Sequence, residues 1–212
     1  MIEKYYNGVI EQVVGGIGNV EHNSILVRYS NDFSIWDLES VNHYKDQTDI
    51  FFTCHEFSYN KIAEAYEPYL GLIRQMFHKY CSGTLEEFME ECDVYKLQRP
   101  VFESYFEKGF CERTEQILID EVEYEQERMR NSIVTMLQKL SEIRPVVIVL
   151  NRFQLASKST MQLSNSLLQV KNKNIGIVLG VNDVQSIPEF AHEEWDAICE
   201  SMDDRNMVYH IG

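Results

Sequence analysis

Apolar residues recur at helical spacing at the start of the chain. Tyr5, Tyr6, Val9, Ile10, Val13 and Val14 punctuate Ile2–Val14, with polar residues between them, and predict an amphipathic helix. Gly15, Gly16 and Gly18 then turn the chain. The β-rich run Ser24–Tyr29 predicts a buried strand, Trp36–Tyr44 a brief helix, and Asp49–Cys54 a second strand. A helix follows over Lys61–Tyr80, with a stripe through Leu70, Ile73, Met76 and Phe77 and with Pro68 set to break or kink its first turn. Thr84 and Glu87 stand at capping-box spacing at the head of one or two short helices reaching Gly109. Glu112–Ile143 reads as a long helix whose second half buries Ile133, Met136, Leu137 and Leu140.

The pattern then changes. Val146–Leu150 and Ile175–Val181 are continuous apolar runs rather than alternating ones, as expected of parallel strands covered on both faces. Ser159–Val170 between them reads as the crossover helix of a βαβ unit. Pro188–Cys199 predicts another helix and Met207–Ile211 a last strand. Strands alternating with helices imply an α/β fold: a three-layer sandwich with a mostly parallel sheet of about five strands and helices on both faces. With no repeat, low-complexity tract or linker, residues 1–212 read as one domain, and a chain stopping at a strand suggests a piece of a longer multidomain protein.

Composition narrows the function. The 212 residues carry a formal net charge of -15, which repels a phosphate backbone and disfavours nucleic acid and anionic membrane as partners. Cys54, Cys81, Cys92, Cys111 and Cys199 are odd in number and scattered, as reduced thiols are, and no leader or spanning segment is apparent, so the expected location is cytoplasmic.

The order of motifs resembles the ATPase domain of STAND-class, AAA-related signalling proteins. Ser24–Tyr29 (SILVRY) stands where that family has the strand entering its Walker A loop, and Glu67–Phe77 (EPYLGLIRQMF) matches a proline-containing stretch after the second strand. Val146–Gln169 (VVIVLNRFQLASKSTMQLSNSLLQ) follows the family's Walker B strand and subsequent helix, and Ile175–Val181 its sensor strand. The resemblance implies a P-loop NTPase-like fold.

It also implies a degenerate site. A working Walker A needs glycines to wrap phosphate, a lysine to neutralise it and a hydroxyl for magnesium. The matching stretch here is Ser30, Asn31, Asp32, Phe33, Ser34, Ile35, Trp36 and Asp37. Ser30 and Ile35 replace the glycines, Trp36 the lysine and Asp37 the hydroxyl, and Asp32 and Asp37 would repel an anion with only Arg28 as a nearby base. At Walker B, Asn151 replaces the magnesium-binding acid and Arg152 the catalytic one. Asn182 would be a sensor remnant. The expected vestigial positions are thus Ser30, Asn31, Asp32, Ser34, Trp36, Asp37, Asn151, Arg152 and Asn182, with no catalytic residue, no metal and no cofactor.

Other candidates carry blander readings. The Gly15–Gly18 turn precedes a strand, the reverse of the dinucleotide fingerprint. Cys54-His55-Glu56 lacks a second ligand pair, leaving Cys54 a core residue. The acidic run Asp120, Glu121, Glu123, Glu125 and Glu127 reads as a solvated helix face. Glu189, Glu193 and Glu194 read as the exposed side of a helix whose Trp195 faces the core, and Tyr5, Tyr6, Phe51, Phe52, Tyr105 and Phe106 as core aromatics. The leading expectation is a catalytically inactive ATPase-like regulatory or scaffolding module of a larger signalling protein, whose partners are flanking domains, other proteins or copies of itself. The alternatives are an NTPase binding ATP or ADP with magnesium through an atypical loop, and an α/β interaction domain unrelated to ATPases.

Overall fold

Five strands, β1 (Ser24–Tyr29), β2 (Phe51–Glu56), β3 (Val146–Asn151), β4 (Ile175–Asn182) and β5 (Val208–Ile211), form one sheet in the order β2-β3-β4-β1-β5. Every pairing is parallel. β3 and β4 are buried at every position, which is why their sequences run apolar without alternation. The structure, a computed structural model, describes residues 2–19, 23–30, 33–47, 49–61, 63–109, 122–170, 172–184, 186–203 and 208–211. Among these the helices are α1 (Ile2–Gly15), α2 (Glu39–Tyr44), α3 (Tyr69–Tyr80), α4 (Leu85–Glu91), α5 (Arg99–Lys108), α6 (Val122–Ile143), α7 (Lys158–Gln169) and α8 (His192–Asp203).

The chain divides into two compact units, Met1–Glu67 with Arg144–Gly212, and Pro68–Ile143. The first contains the sheet. From β1 the chain moves one way along the strand order to β2, whereas from β3 to β4 and from β4 to β5 it moves the other way. Because β-α-β connections are right-handed, α2 lies on one face and α7 and α8 on the opposite one. α1 packs on β1, β3 and β4 and against α2. Its close approach explains two glycines of β4: a Cβ on Gly176 would sit 2.7 Å from Val13 Cγ1, and one on Gly180 would collide with the Tyr6 hydroxyl.

In the second unit, Phe77 of α3 stacks at ring-centroid distances of 5.2 Å on Phe88 and 5.5 Å on Phe106. The Thr84–Glu87 capping box opens α4 as expected. Arg74 Nε donates to the Phe106 carbonyl at 2.7 Å beside Gly109, whose φ of 82° closes α5.

Several expectations shift. The helix expected from Lys61 begins only at Tyr69, because Pro68 serves as its N-cap and the residues before it turn. β2 lies two residues later than predicted and ends on Glu56, since pairing with β3 holds its polar end in the sheet. The helix predicted from Trp36 divides into a 3-10 turn, Ile35–Asp37, and α2, separated by extended backbone at Leu38. Tyr5 is 59% exposed rather than core, one position off the buried stripe of Ile2, Tyr6, Val9, Ile10 and Val13. Phe51 and Tyr105 are half-buried. Asp120 and Glu121, Cys111, Met207 and the start of the helix predicted over Glu112–Ile143 lie outside the described residues.

Candidate functional site

In an open parallel sheet, ligands bind beyond the carboxyl ends of the strands, where neighbouring connections leave to opposite faces. Here that point lies between β1 and β4, whose last residues, Tyr29 and Asn182, are paired in register. The chain beyond both ends is tied together: Asp183 N donates to the Tyr29 carbonyl at 2.8 Å, and Arg28 Nε to Asp183 Oδ1 at 2.8 Å. The one base expected near an anion is therefore committed to a carboxylate. Asn182 is buried; its amide nitrogen donates to Gln154 Oε1 at 3.3 Å, and its side-chain oxygen accepts from Val184 N at 3.0 Å. It fastens its own loop rather than facing a ligand.

A polar cluster lies beside these strand ends. The Tyr29 hydroxyl donates to Asn151 Oδ1 at 2.8 Å, and both side chains are buried. Tyr6 reaches the same place from α1, against Gly180. Phe33 closes over the pair, its ring edge-on to Tyr29 at 4.9 Å and to Tyr6 at 5.2 Å. Among the described residues the Tyr6 hydroxyl and Asn151 Nδ2 make no hydrogen bond. Burial first, then Tyr29, Cys54 and Glu56, push the Tyr6 phenol well above its ordinary range, so it stays protonated and serves no base.

The loop after β1 takes an unexpected partner. Ser34 caps the turn Ile35–Asp37, its Oγ accepting from Trp36 N at 3.3 Å. Ile35 is buried, and its amide donates to Glu56 Oε2 at 3.0 Å. The other carboxylate oxygen, Glu56 Oε1, lies 3.2 Å from Arg152 Nη1. Glu56 ends β2 and Arg152 follows β3, so one carboxylate links the ends of these two strands to the turn at Ile35–Asp37. Arg152 takes a left-handed backbone, φ 53° and ψ 41°, a conformation uncommon for a residue with a side chain.

The expected positions thus separate. Ser34, through its turn, and Arg152 are brought together on Glu56, and Asn151 sits next to them in the interior. Asn182 joins β4 to Gln154. Trp36 is 50% exposed, and Ser30 and Asp37 are exposed as well. Asn31 and Asp32 lie outside the described residues. Sequence reasoning missed Tyr6, Tyr29 and Glu56. The available signal was Arg152 itself: a cation at a buried strand end requires an anion nearby, and Glu56 ends the adjacent strand.

Elsewhere, Glu194 departs from the exposed helix side expected of it. It is buried, 3.0 Å from Lys158 Nζ, and accepts from Gln162 Nε2 at 2.9 Å, joining α8 to α7. Trp195 is buried as expected. Cys54 is half-buried, and burial pushes its thiol up to about 11. Among the described residues no group of three or more His, Cys, Asp or Glu is placed to hold a metal, and no helix is long and apolar enough to cross a membrane. No family model matches the chain, and no curated protein matches it.

Proposed function

We propose that the chain is a catalytically inactive, ATPase-like module of a larger signalling or regulatory protein, a scaffold that neither holds nor hydrolyses nucleotide. The resemblance to STAND-class ATPases supplies the ancestry, and an all-parallel five-stranded sheet in a three-layer sandwich supports it. One observation carries the reading. Where a phosphate loop would present glycine amides beside a magnesium-binding acid, this chain has the Tyr29 and Phe33 rings in edge contact and the Tyr29 hydroxyl bonded to Asn151. Aromatic rings and a neutral amide give a phosphate no compensating charge, and burying an unpaired anion there is prohibitive. Its partners are flanking domains, other proteins or copies of itself, with basic surfaces favoured by the charge of -15, in a cytoplasmic setting suited to reduced thiols.

The test is a calorimetric titration of ATP and ADP, with and without magnesium, beside a thermal-shift series. Ligand at about 100 times its dissociation constant stabilises a fold by about 2.7 kcal/mol. Silence at millimolar nucleotide is expected. Saturable, magnesium-dependent binding would instead select an atypical nucleotide site, the reading favoured by Asn151 Nδ2, which makes no hydrogen bond among the described residues.

A further inference from the structure

We propose that Glu56 is a built-in ligand: its carboxylate occupies an oxyanion site formed by the Arg152 guanidinium and the Ile35 amide, holding the loop after β1 in a permanently liganded state. The inference rests on the module reading above and adds what keeps that module in one state.

The geometry is that of anion recognition. Both carboxylate oxygens are used, one at 3.0 Å from a main-chain N–H and the other at 3.2 Å from a guanidinium nitrogen. The two donors come from separate segments, the loop after β1 and the residue after β3, and both reach this carboxylate. The Glu56 and Arg152 side chains are 13% and 20% exposed, so the ion pair is largely shielded from water, and the hydrogen bond that the carboxylate accepts from the Ile35 amide is charge-assisted. Arg152 adopts its left-handed backbone at the point where its side chain meets the carboxylate. A residue held in such a conformation is retained where its surroundings fix it.

A switching ATPase gains and loses its anion, and its loop follows. Here the anion is covalently part of β2, so its effective concentration beside the loop is fixed and the loop has no ligand to lose. The site's chemistry is that of a small oxyanion, a carboxylate first of all, and an external one is excluded because Glu56 is already seated.

Removing the internal carboxylate therefore creates a vacancy of known chemistry. In Glu56→Ala, sodium formate, compared with sodium chloride at the same ionic strength, is expected to raise the melting temperature saturably. The rise is about 2–4 °C once formate stands at several times its dissociation constant. The unaltered protein, whose site is full, and the Glu56→Ala/Arg152→Ala double variant, whose site lacks its cation, are expected to respond identically to formate and chloride. If Glu56→Ala does not fold in chloride, recovery of its circular dichroism on refolding in formate but not in chloride gives the same support. A melting temperature indifferent to formate, failure to refold in either salt, or equal rescue of the double variant would overturn the proposal. These outcomes are separable from the nucleotide titration: ATP binding by the unaltered protein removes the module reading, whereas absent rescue with a silent ATP titration removes only the built-in ligand.

Discussion

Replacing Gly180 by alanine adds one methyl group at the most crowded point of the sheet. The new Cβ would collide with the Tyr6 hydroxyl, lie 2.6 Å from Asn151 Oδ1 and lie 3.1 Å from Tyr6 Cζ. Neither neighbour yields cheaply. Tyr6 is a fully buried ring between α1 and the sheet, and Asn151 is buried and bonded to Tyr29. Overpacking a rigid core costs about 1–3 kcal/mol. Displacing Asn151 adds about 1–3 kcal/mol for the buried hydrogen bond. The sum, about 2–6 kcal/mol, is a large share of the roughly 5–15 kcal/mol by which domains are stable. Urea unfolding followed by Trp195 fluorescence reads it directly, because Trp195 is buried. Gly8→Ala on α1 is the control: its Cβ meets nothing within 4 Å, so ordinary helix propensity predicts a gain of about 0.5–1 kcal/mol. Tyr6→Phe removes the nearest clashing atom, which makes no hydrogen bond among the described residues, so in that background Gly180→Ala should cost at least about 1 kcal/mol less. A Gly180→Ala protein within about 0.5 kcal/mol of the parent would refute the packing described here.

Two further outcomes are expected. Burial alone would raise the Glu194 carboxyl, but hydrogen bonds from Lys158, its own backbone amide and Gln162 outweigh it and hold the group below its ordinary 4.5. A depressed carboxyl contributes stability above its unfolded value and loses it as pH falls through the folded value, so Glu194→Gln should flatten the melting-temperature profile below pH 4.5 and leave its slope at neutral pH unchanged. Cys92 is buried, and burial pushes its thiol up to about 12. Mass spectrometry after iodoacetamide at neutral pH should find Cys92 unmodified in the native protein and alkylated in urea.

The parallel strands were legible in the chain because burial on both faces leaves no polar position to confuse the reading. Val146–Leu150 and Ile175–Val181 each fall one residue short of the observed strand, and in both cases the missing residue is the terminal asparagine that belongs to the site. β2 was harder. His55 and Glu56 look like the start of a loop, and only pairing with Leu150 and Asn151 keeps them in the sheet. The same three-dimensional cause hid the site. Asn151 and Arg152 stand out against the resembled family's pattern, but Glu56 becomes meaningful only once β2 lies beside β3 and brings a carboxylate to a guanidinium from a distant part of the sequence. Glu194 shows the converse error, since helical periodicity marked it as polar without revealing that α7 packs there with a lysine and a glutamine.

The strand order has a consequence for how this chain is made. β1 leaves the ribosome long before its two neighbours in the sheet, β4 and β5. Between them the whole of Pro68–Ile143 is synthesised. Until β4 emerges, Ile25, Leu26 and Val27 form an apolar segment with no strand to join, and such non-local pairing is slow because loop-closure entropy must be met before contacts form. The nascent chain should therefore depend on holding chaperones until β4 has emerged, and the second unit, whose residues are continuous in sequence, is complete in the chain before β3, β4 and β5 are made.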